Sequence, residues 1–383
     1  MNLDSLRTAF MPFAQEVAGL VPAGTIVVDA HAHLGADEDG RSQELAALLE
    51  QLDTIGAQSR ACVFPLHDPD RHPAYRTPND RVLAWAAHSE GRLSPYCRLD
   101  PAEDPLEEAE RCLALGARGI KLHPRAQAFA FGHSAAEGIF EVARDAAVPI
   151  LIHAGRGMGP MDSLADLALR FPDVTLVLAH AGIAGQGMFA SKLAEHPAVL
   201  YDTSAFSALD VVELFARVPA ERIVFASDSP YGHPLPSLYV AMRAAARAGV
   251  DAQGRAMIAG GTMAVVLDGE QLPAANEPPL EQVRPVNGRL LRINGYLMMA
   301  AGAALTREPP DLARAREGVT LARYACRDPA PGEAGDALAR VDAALAAAEQ
   351  VVADGARDDG EANLAIGLAV AAAAVAATEP VEG

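Results

Sequence analysis

Cysteine is scarce and unpatterned in this chain: the four present, Cys62, Cys97, Cys112 and Cys326, include no pair in CxxC spacing. That spacing excludes a disulfide framework and a thiolate zinc site, and leaves the four as reduced packing residues. Positive charge is short as well. Against 31 Lys and Arg stand 50 Asp and Glu, a formal net charge of −19. Nucleic acid and anionic membrane surfaces both select basic patches, so neither is expected as a partner. The longest apolar run, Leu364 to Ala377, is too short and too alanine-rich to cross a bilayer. Before Pro12 there is no apolar core and Asp4 comes early, so no secretory leader is read and the cytoplasm is the expected compartment.

What is present is a large apolar fraction, 50% of 383 residues, and a length sufficient for one large domain plus a small one, or for two medium ones. Residues Leu3 to Leu20 carry apolar side chains three or four apart, a helix expected to pack on the outside of the larger domain. The unit 1–22 ends at Pro22. From residue 23 a pattern recurs: a short apolar run, a polar residue at its end, a loop, then helical spacing. Thr25–Gly35 begins the series, and Arg60–His67, Leu93–Asp100, Gly119–Pro124, Pro149–Gly155, Leu176–Gly182, Val199–Ser204 and Ile223–Pro230 continue it. Eight βα units in about 250 residues predict an α/β fold, a (β/α)8 TIM barrel over 23–268. An open doubly wound sheet ranks below it, because no run leads into a glycine-rich dinucleotide loop. Residues 269–289, rich in Pro, Glu, Gln and Asn, read as a linker. Residues 290–383 hold four helical patterns and predict a C-terminal helical bundle as an appendage, docked on the barrel or making a homo-oligomer contact.

Chemistry concentrates at the predicted strand ends. Six of the eleven histidines (His31, His33, His67, His123, His153 and His180) lie there, and a core strand has no packing use for a titratable ring. On a regular strand His31 and His33 leave one face about 7 Å apart. His31, His33 and His153 offer nitrogen, and Asp228, on the strand expected beside the first, offers a carboxylate, together a ligand set for a divalent cation. Such an ion lowers the pKa of its water from about 15.7 toward about 7. The bland alternative is a hydrogen-bonded network of the same side chains. His180 and Asp228 are the catalytic candidates, with His180 as general acid/base or electrophile, or else as a partner orienting a ligand. Lys121 reads either as an anion-binding ammonium, as a carboxylated bridge between two metals, or as half of a buried ion pair. Arg125 and Arg156 could clamp a substrate carboxylate or be ordinary surface arginines. His67, His123 and Tyr231 could line the pocket or serve packing or capping.

The series His31-Ala-His33, Gly119-Ile-Lys-Leu-His-Pro124, Ile152-His-Ala-Gly155, Ala179-His-Ala-Gly182 and Ala226-Ser-Asp-Ser-Pro230 resembles the amidohydrolase superfamily, in the amidohydrolase-related branch that also contains aminocarboxymuconate semialdehyde decarboxylase. The resemblance runs from about Val27 to Leu267. It implies one divalent metal, Zn2+ in most relatives, held by His31, His33, His153 and Asp228, with His180 in catalysis. The chain departs from that pattern at Gly260-Gly-Thr-Met263, where relatives often carry Gly-Asn-Ala. Two activities on a small-molecule substrate are therefore expected: metal-dependent hydrolysis of an amide, lactone or ester, or non-oxidative decarboxylation of an aromatic or enoic acid. A third reading, a degenerate barrel used for binding, conflicts with a complete ligand series.

Overall fold

A computed structural model describes residues 3–155, 161–183, 185–194, 196–204, 207–278, 287–305, 311–327, 334–353 and 359–379. Nine strands appear: β1 (Val28–Ala36), β2 (Ser42–Gln43), β3 (Arg60–Pro65), β4 (Leu93–Arg98), β5 (Gly119–Leu122), β6 (Ile150–Ile152), β7 (Leu176–Leu178), β8 (Val199–Asp202) and β9 (Ile223–Val224). They form one sheet in the order β2-β1-β3-β4-β5-β6-β7-β8-β9. Every pair is parallel except β1 with the two-residue β2, a strand that the sequence pattern does not signal. The sheet curls back on itself. Beyond β9, the chain meets β1 again, where Ala30 N donates to Phe225 O at 2.9 Å, Asp228 N to His31 O at 2.8 Å and His33 N to Ser229 O at 2.7 Å.

Parallel strands covered on both faces read as unbroken apolar runs, and here alternate residues divide between two cores. Leu151, Val177 and Leu200 join Val28, Ala30, Phe64 and Tyr96 in an inner cluster, plugged at one end by Met263 and Val266. Their neighbours Ile150, Ile152, Leu176 and Leu178 face the surrounding helices. Those helices obey local rules. Pro105–Ala114 opens with Pro at its first turn, has Glu107 and Glu108 at its N-terminus and Arg111 near its end, each placed to suit the helix dipole. Ala208–Arg217 is capped by Ser207, whose side chain accepts from Asp210 N.

One irregularity decides where the chemistry goes. Val28 and Ala30 face inward, so plain alternation would turn His31 and His33 outward. Between Asp29 and Ala32 the register of β1 against β3 slips by one residue. That β-bulge turns both histidines inward, onto the ring of Phe64 (centroids 5.2 and 4.6 Å), and sends Ala32 and Leu34 to the outer core.

The helix Leu3–Leu20 packs on the helix Pro234–Arg247. Further along, helices span Gly288–Leu305, Leu312–Arg327, Gly335–Ala353 and Asp359–Thr378. The last of these contacts Pro234–Arg247 and Ala208–Arg217, and the other three pack beside it in succession. No described helix is long and apolar enough to cross a membrane.

Candidate metal centre

The inward residues of neighbouring strands stack in layers. Pairing puts Arg98 opposite Lys121, Lys121 opposite Leu151, and Leu151 opposite Val177, so two cations share a layer with apolar side chains. Both are at most 1% exposed. His123 and His153 come two residues on, toward the mouth of the curled sheet. The strands themselves stop short of the expected bounds. His180 lies in a 3-10 turn after β7, and Asp228 lies in the loop after β9. Both have φ near +58°, a left-handed backbone uncommon for non-glycine residues and concentrated at functional sites. Extended strands would aim these side chains along the wall; the reversed backbone turns them across the opening.

Three donor atoms converge there. His31 Nε2 is 3.0 Å from Asp228 Oδ1, His33 Nε2 is 3.1 Å from the same oxygen, and the two Nε2 atoms are 3.2 Å apart. Donors held about 2.1 Å from a common ion are separated by roughly 3.0 to 3.4 Å, depending on coordination number, so the triangle fits a small divalent cation. His31, His180 and Asp228 likewise offer ligand atoms within 4.8 Å of one another, all three buried. His33 Nδ1 and His153 Nε2 are buried without any hydrogen-bond partner, an arrangement that costs stability unless something else meets them.

The tautomers are set by the partners. Asp202 Oδ2 lies 2.8 Å from His31 Nδ1, so that nitrogen carries the hydrogen and Nε2 is left as the ligating lone pair. The other Asp202 oxygen accepts from His180 N, Ser204 N and Ser204 Oγ. Asp202 thus locks two strand ends together; as an acid at a strand end it is visible in the sequence, its role is not. His180 Nδ1 faces Ser204 O at 3.2 Å, and its Nε2 is 3.0 Å from His153 Nδ1. His153 therefore stands one hydrogen bond behind His180 and stacks on His123 with ring centroids 3.8 Å apart.

The charges are set mainly by burial. Burial pushes Asp228 up, but His31 and His180 beside it hold its carboxyl well below the usual range. Burial and Lys121 pull His31 down, and Asp228 with the Asp202 hydrogen bond outweigh them, leaving it above the ordinary value. Burial takes His33 down to about 3 and keeps His153, His123 and His180 low, so these four rings are neutral at pH 7. Lys121 is brought down to about 7, chiefly by burial, with its ammonium 4.4 Å above the Phe64 ring and 3.4 Å from His31 Nε2.

The remaining candidates are dispersed. His67, in the loop after β3, is bound to Tyr75 Oη and is not among the three donors. Arg125 is exposed on the loop after β5, with no contact to the cluster among the described residues. Arg156 falls outside the described residues. Tyr231, a pocket-lining candidate, stands at the mouth: its hydroxyl donates to Asp37 and its ring meets His33 edge-on at 5.9 Å. The sequence pattern missed Arg98, the buried cation of the layer below.

The solved structures similar to this chain include 5-carboxyvanillate decarboxylase from Sphingomonas paucimobilis (15% identity, TM-score 0.49, covering 64% of this chain and 99% of that one). A probable 2-pyrone-4,6-dicarboxylic acid hydrolase from Acinetobacter baumannii matches with 15% identity and a TM-score of 0.48, over 63% of this chain and 99% of that one. A dihydroxybenzoic acid decarboxylase from Polaromonas with bound manganese matches with 15% identity and a TM-score of 0.47, over 64% and 97%. No curated protein matches the sequence. The amidohydrolase family model matches residues 28–268, the whole curled sheet and both halves of the donor triangle, and on that match the chain belongs to the amidohydrolase family and is an enzyme.

Proposed function

We propose that this enzyme is a metal-dependent hydrolase of a small organic substrate with an amide, lactone or ester bond. In this reading a closed eight-stranded barrel over 23–268 carries the reaction at its mouth, the helix of 1–22 packs outside it, and 290–383 form an appended helical unit beyond the linker 269–289. The observation that carries it is the donor triangle of His31, His33 and Asp228, built from two distant parts of the chain. These three would hold a divalent ion, with zinc suited to two imidazoles and a carboxylate, and His153 or His180 would complete the shell. Such an ion supplies Lewis acidity, acidifying water or polarising a substrate oxygen.

The chain's own groups supply the rest. Asp228, held ionised, accepts a proton from the attacking water through its free oxygen lone pairs. His180, neutral at rest and backed by His153, takes that proton over from Asp228, whose Oδ2 lies 3.9 Å from its Nδ1, and the imidazolium so formed gives it to the leaving group as general acid. Asp202 keeps His31 in the ligating tautomer throughout. Lys121 serves as an ammonium beside the substrate, or, as the free amine that its lowered pKa favours, as the site of carboxylation for a second ion. A second reading, non-oxidative decarboxylation at the same centre, draws support from the buried pair Arg98 and Lys121, which suits a carboxylated substrate.

Protein purified without chelator or affinity metal is the test. One divalent ion per chain, lost on dialysis against a chelator together with hydrolysis of a lactone and ester panel, supports the reading. Active protein with no stoichiometric ion overturns it, and carbon dioxide release from aromatic acids without hydrolysis of the panel selects the second reading.

A further inference from the structure

A second polar group lies beside the donor triangle, at the end of β3. Arg98 is its centre. It is 1% exposed, donates from Nη1 to Pro65 O at 3.1 Å, approaches His67 Nδ1 from Nη2 at 3.4 Å, and leaves Nε without a partner. It makes no ion pair among the described residues. The phenol of Tyr75, fully buried, lies under the guanidinium at 5.0 Å and places its hydroxyl 2.7 Å from the same His67 Nδ1. Tyr75 and Ala74 before it both hold positive φ, 60° and 54°, so strained backbone is used to deliver that hydroxyl.

A guanidinium has no lone pair to offer, so the nitrogen it faces cannot carry a hydrogen. Tyr75 then donates to Nδ1 too, and the ring hydrogen of neutral His67 is confined to Nε2. Burial, with Arg98 and Arg71 nearby, keeps the ring in its neutral form. The Nε2 side makes no hydrogen bond among the described residues: the His67 side chain is 19% exposed, and Glu38 Oε2 stands 3.6 Å away while its other oxygen is held by Arg71. The main chain ties the ring to the mouth, because Asp37 Oδ2 accepts from both His67 N and the Tyr231 hydroxyl, and Tyr231 packs on His33. Two guanidinium groups, Arg98 and Arg71, and two carboxylates, Asp37 and Glu38, surround the ring.

We propose that His67, locked as its Nε2–H tautomer by Arg98 and Tyr75, is a substrate-recognition residue that donates to a carboxylate carried by the substrate away from the bond that breaks. This rests on the reading of the mouth as the reaction site. Arg98 and Tyr75 are positioning residues; they act through His67.

Long-range nitrogen-proton spectra of the full-length protein labelled at histidine read the tautomer directly, with the His67 signals assigned by their loss in His67→Phe. The expected pattern is hydrogen on Nε2 in the unaltered protein, kept in Tyr75→Phe because Arg98 still faces Nδ1, and a mixed pattern in Arg98→Met, where the phenol is free to accept instead. Hydrogen on Nδ1 in the unaltered protein overturns the proposal. Benzoate is the probe, with benzamide as its uncharged counterpart. Benzoate should shift the His67 resonances saturably, benzamide should not, and His67→Phe should weaken benzoate about tenfold or more, the effect of losing one hydrogen bond to a charged group. No response to benzoate, or an equal response to benzamide, refutes it. Metal content measured on the same samples separates the two readings. Loss of the ion in His67→Phe makes His67 part of the metal centre and refutes the proposal, whereas a benzoate response in protein that binds no ion leaves the subsite standing while the hydrolase reading fails.

Discussion

The mouth of the curled sheet and the helices from 288 onward bury their residues for opposite reasons. At the mouth, His31, His33, Lys121, Asp202 and Asp228 are 7% exposed or less, two of the surrounding backbones are left-handed, and two imidazole nitrogens go unpartnered. Each of these features costs stability. In the C-terminal helices the buried face is almost entirely Ala, Leu and Val; Ala371 to Ala377 are at most 1% exposed. Small side chains there let helices approach closely, and the few buried polar groups, such as Asn294 bonded to Ala373 O, are satisfied. One region is built to hold chemistry and the other to fill space. Substitutions should therefore separate metal affinity from stability, region by region.

The widest separation is expected at Asp228. Replacing it with alanine removes the oxygen shared by both histidines, and divalent binding by calorimetry should fall by more than the roughly 10- to 100-fold typical of an orienting partner. The fold should survive, because His31, which Asp228 helps to hold above its usual value, can lose its extra proton once the carboxylate is gone. Asp202→Asn should cost that intermediate 10- to 100-fold in affinity. Its amide would face His31 Nδ1 as a donor, driving the ring hydrogen to Nε2, the atom needed for ligation. Unchanged affinity in Asp202→Asn would mean that His31 does not ligate.

Protonation should respect the same boundary. His33, His153 and His180 are neutral in the ion-free protein at pH 7, whereas His31 is held above its usual value by Asp228 and Asp202. Ligation requires it neutral. Ion uptake near pH 7 should then release protons from His31, and affinity should weaken as pH falls. Calorimetry in two buffers of different ionisation enthalpy measures the release; none would sink the assignment of His31.

The stability side of the comparison rests on glycines. A Cβ at Gly119 would come within 2.6 Å of the Tyr96 ring, and one at Gly318 within 2.7 Å of Tyr296 O on the neighbouring helix. Each change to alanine should cost about 1 to 3 kcal/mol by overpacking, read as a shift in urea midpoint. Only Gly119→Ala, two residues below Lys121 on β5, should also weaken the ion.

How much of this is legible from residues alone depends on whether periodicity reports it. Apolar runs spaced by helical segments report parallel βα units well, because every strand obeys the same burial rule. They do not report the bulge at Ala30 and His31, which reverses the facing that simple alternation assigns. Nor do they report that His180 and Asp228 lie past their strands in left-handed turns, since the expected runs Leu176–Gly182 and Ile223–Pro230 overshoot β7 and β9. The sequence pattern places His153 in the donor set, yet the compact group contains His180 in front of it; ring order at a mouth depends on loop geometry. Arg98 and Tyr75 carry no motif at all. Their meaning arises only when β4 and the loop after β3 bring them to one nitrogen.

The smallest effect belongs to the contact between the two regions. Glu16, on the first helix, pairs with Arg243 and Arg340 and accepts from Tyr239, while Arg243 reaches Thr378 at 2.7 Å. Three helices meet on one carboxylate, and a fourth joins through Arg243. Burial pushes Glu16 up, but the two guanidinium groups and the phenol outweigh it and hold the carboxyl below 4.5. A depressed carboxyl contributes stability that is complete above the unfolded value, near 4.5, and lost as pH falls through the folded value. The side chain is 27% exposed, so screening limits the contribution, and Glu16→Gln should cost no more than about 1 kcal/mol at pH 7. Acid denaturation distinguishes this contact from the mouth: the loss in Glu16→Gln should shrink below pH 4.5 and ion affinity should stay unchanged. A loss that persists undiminished at pH 3 would assign Glu16 to packing instead of charge, and a fall in ion affinity would show that the helices from 288 onward do more than fill space.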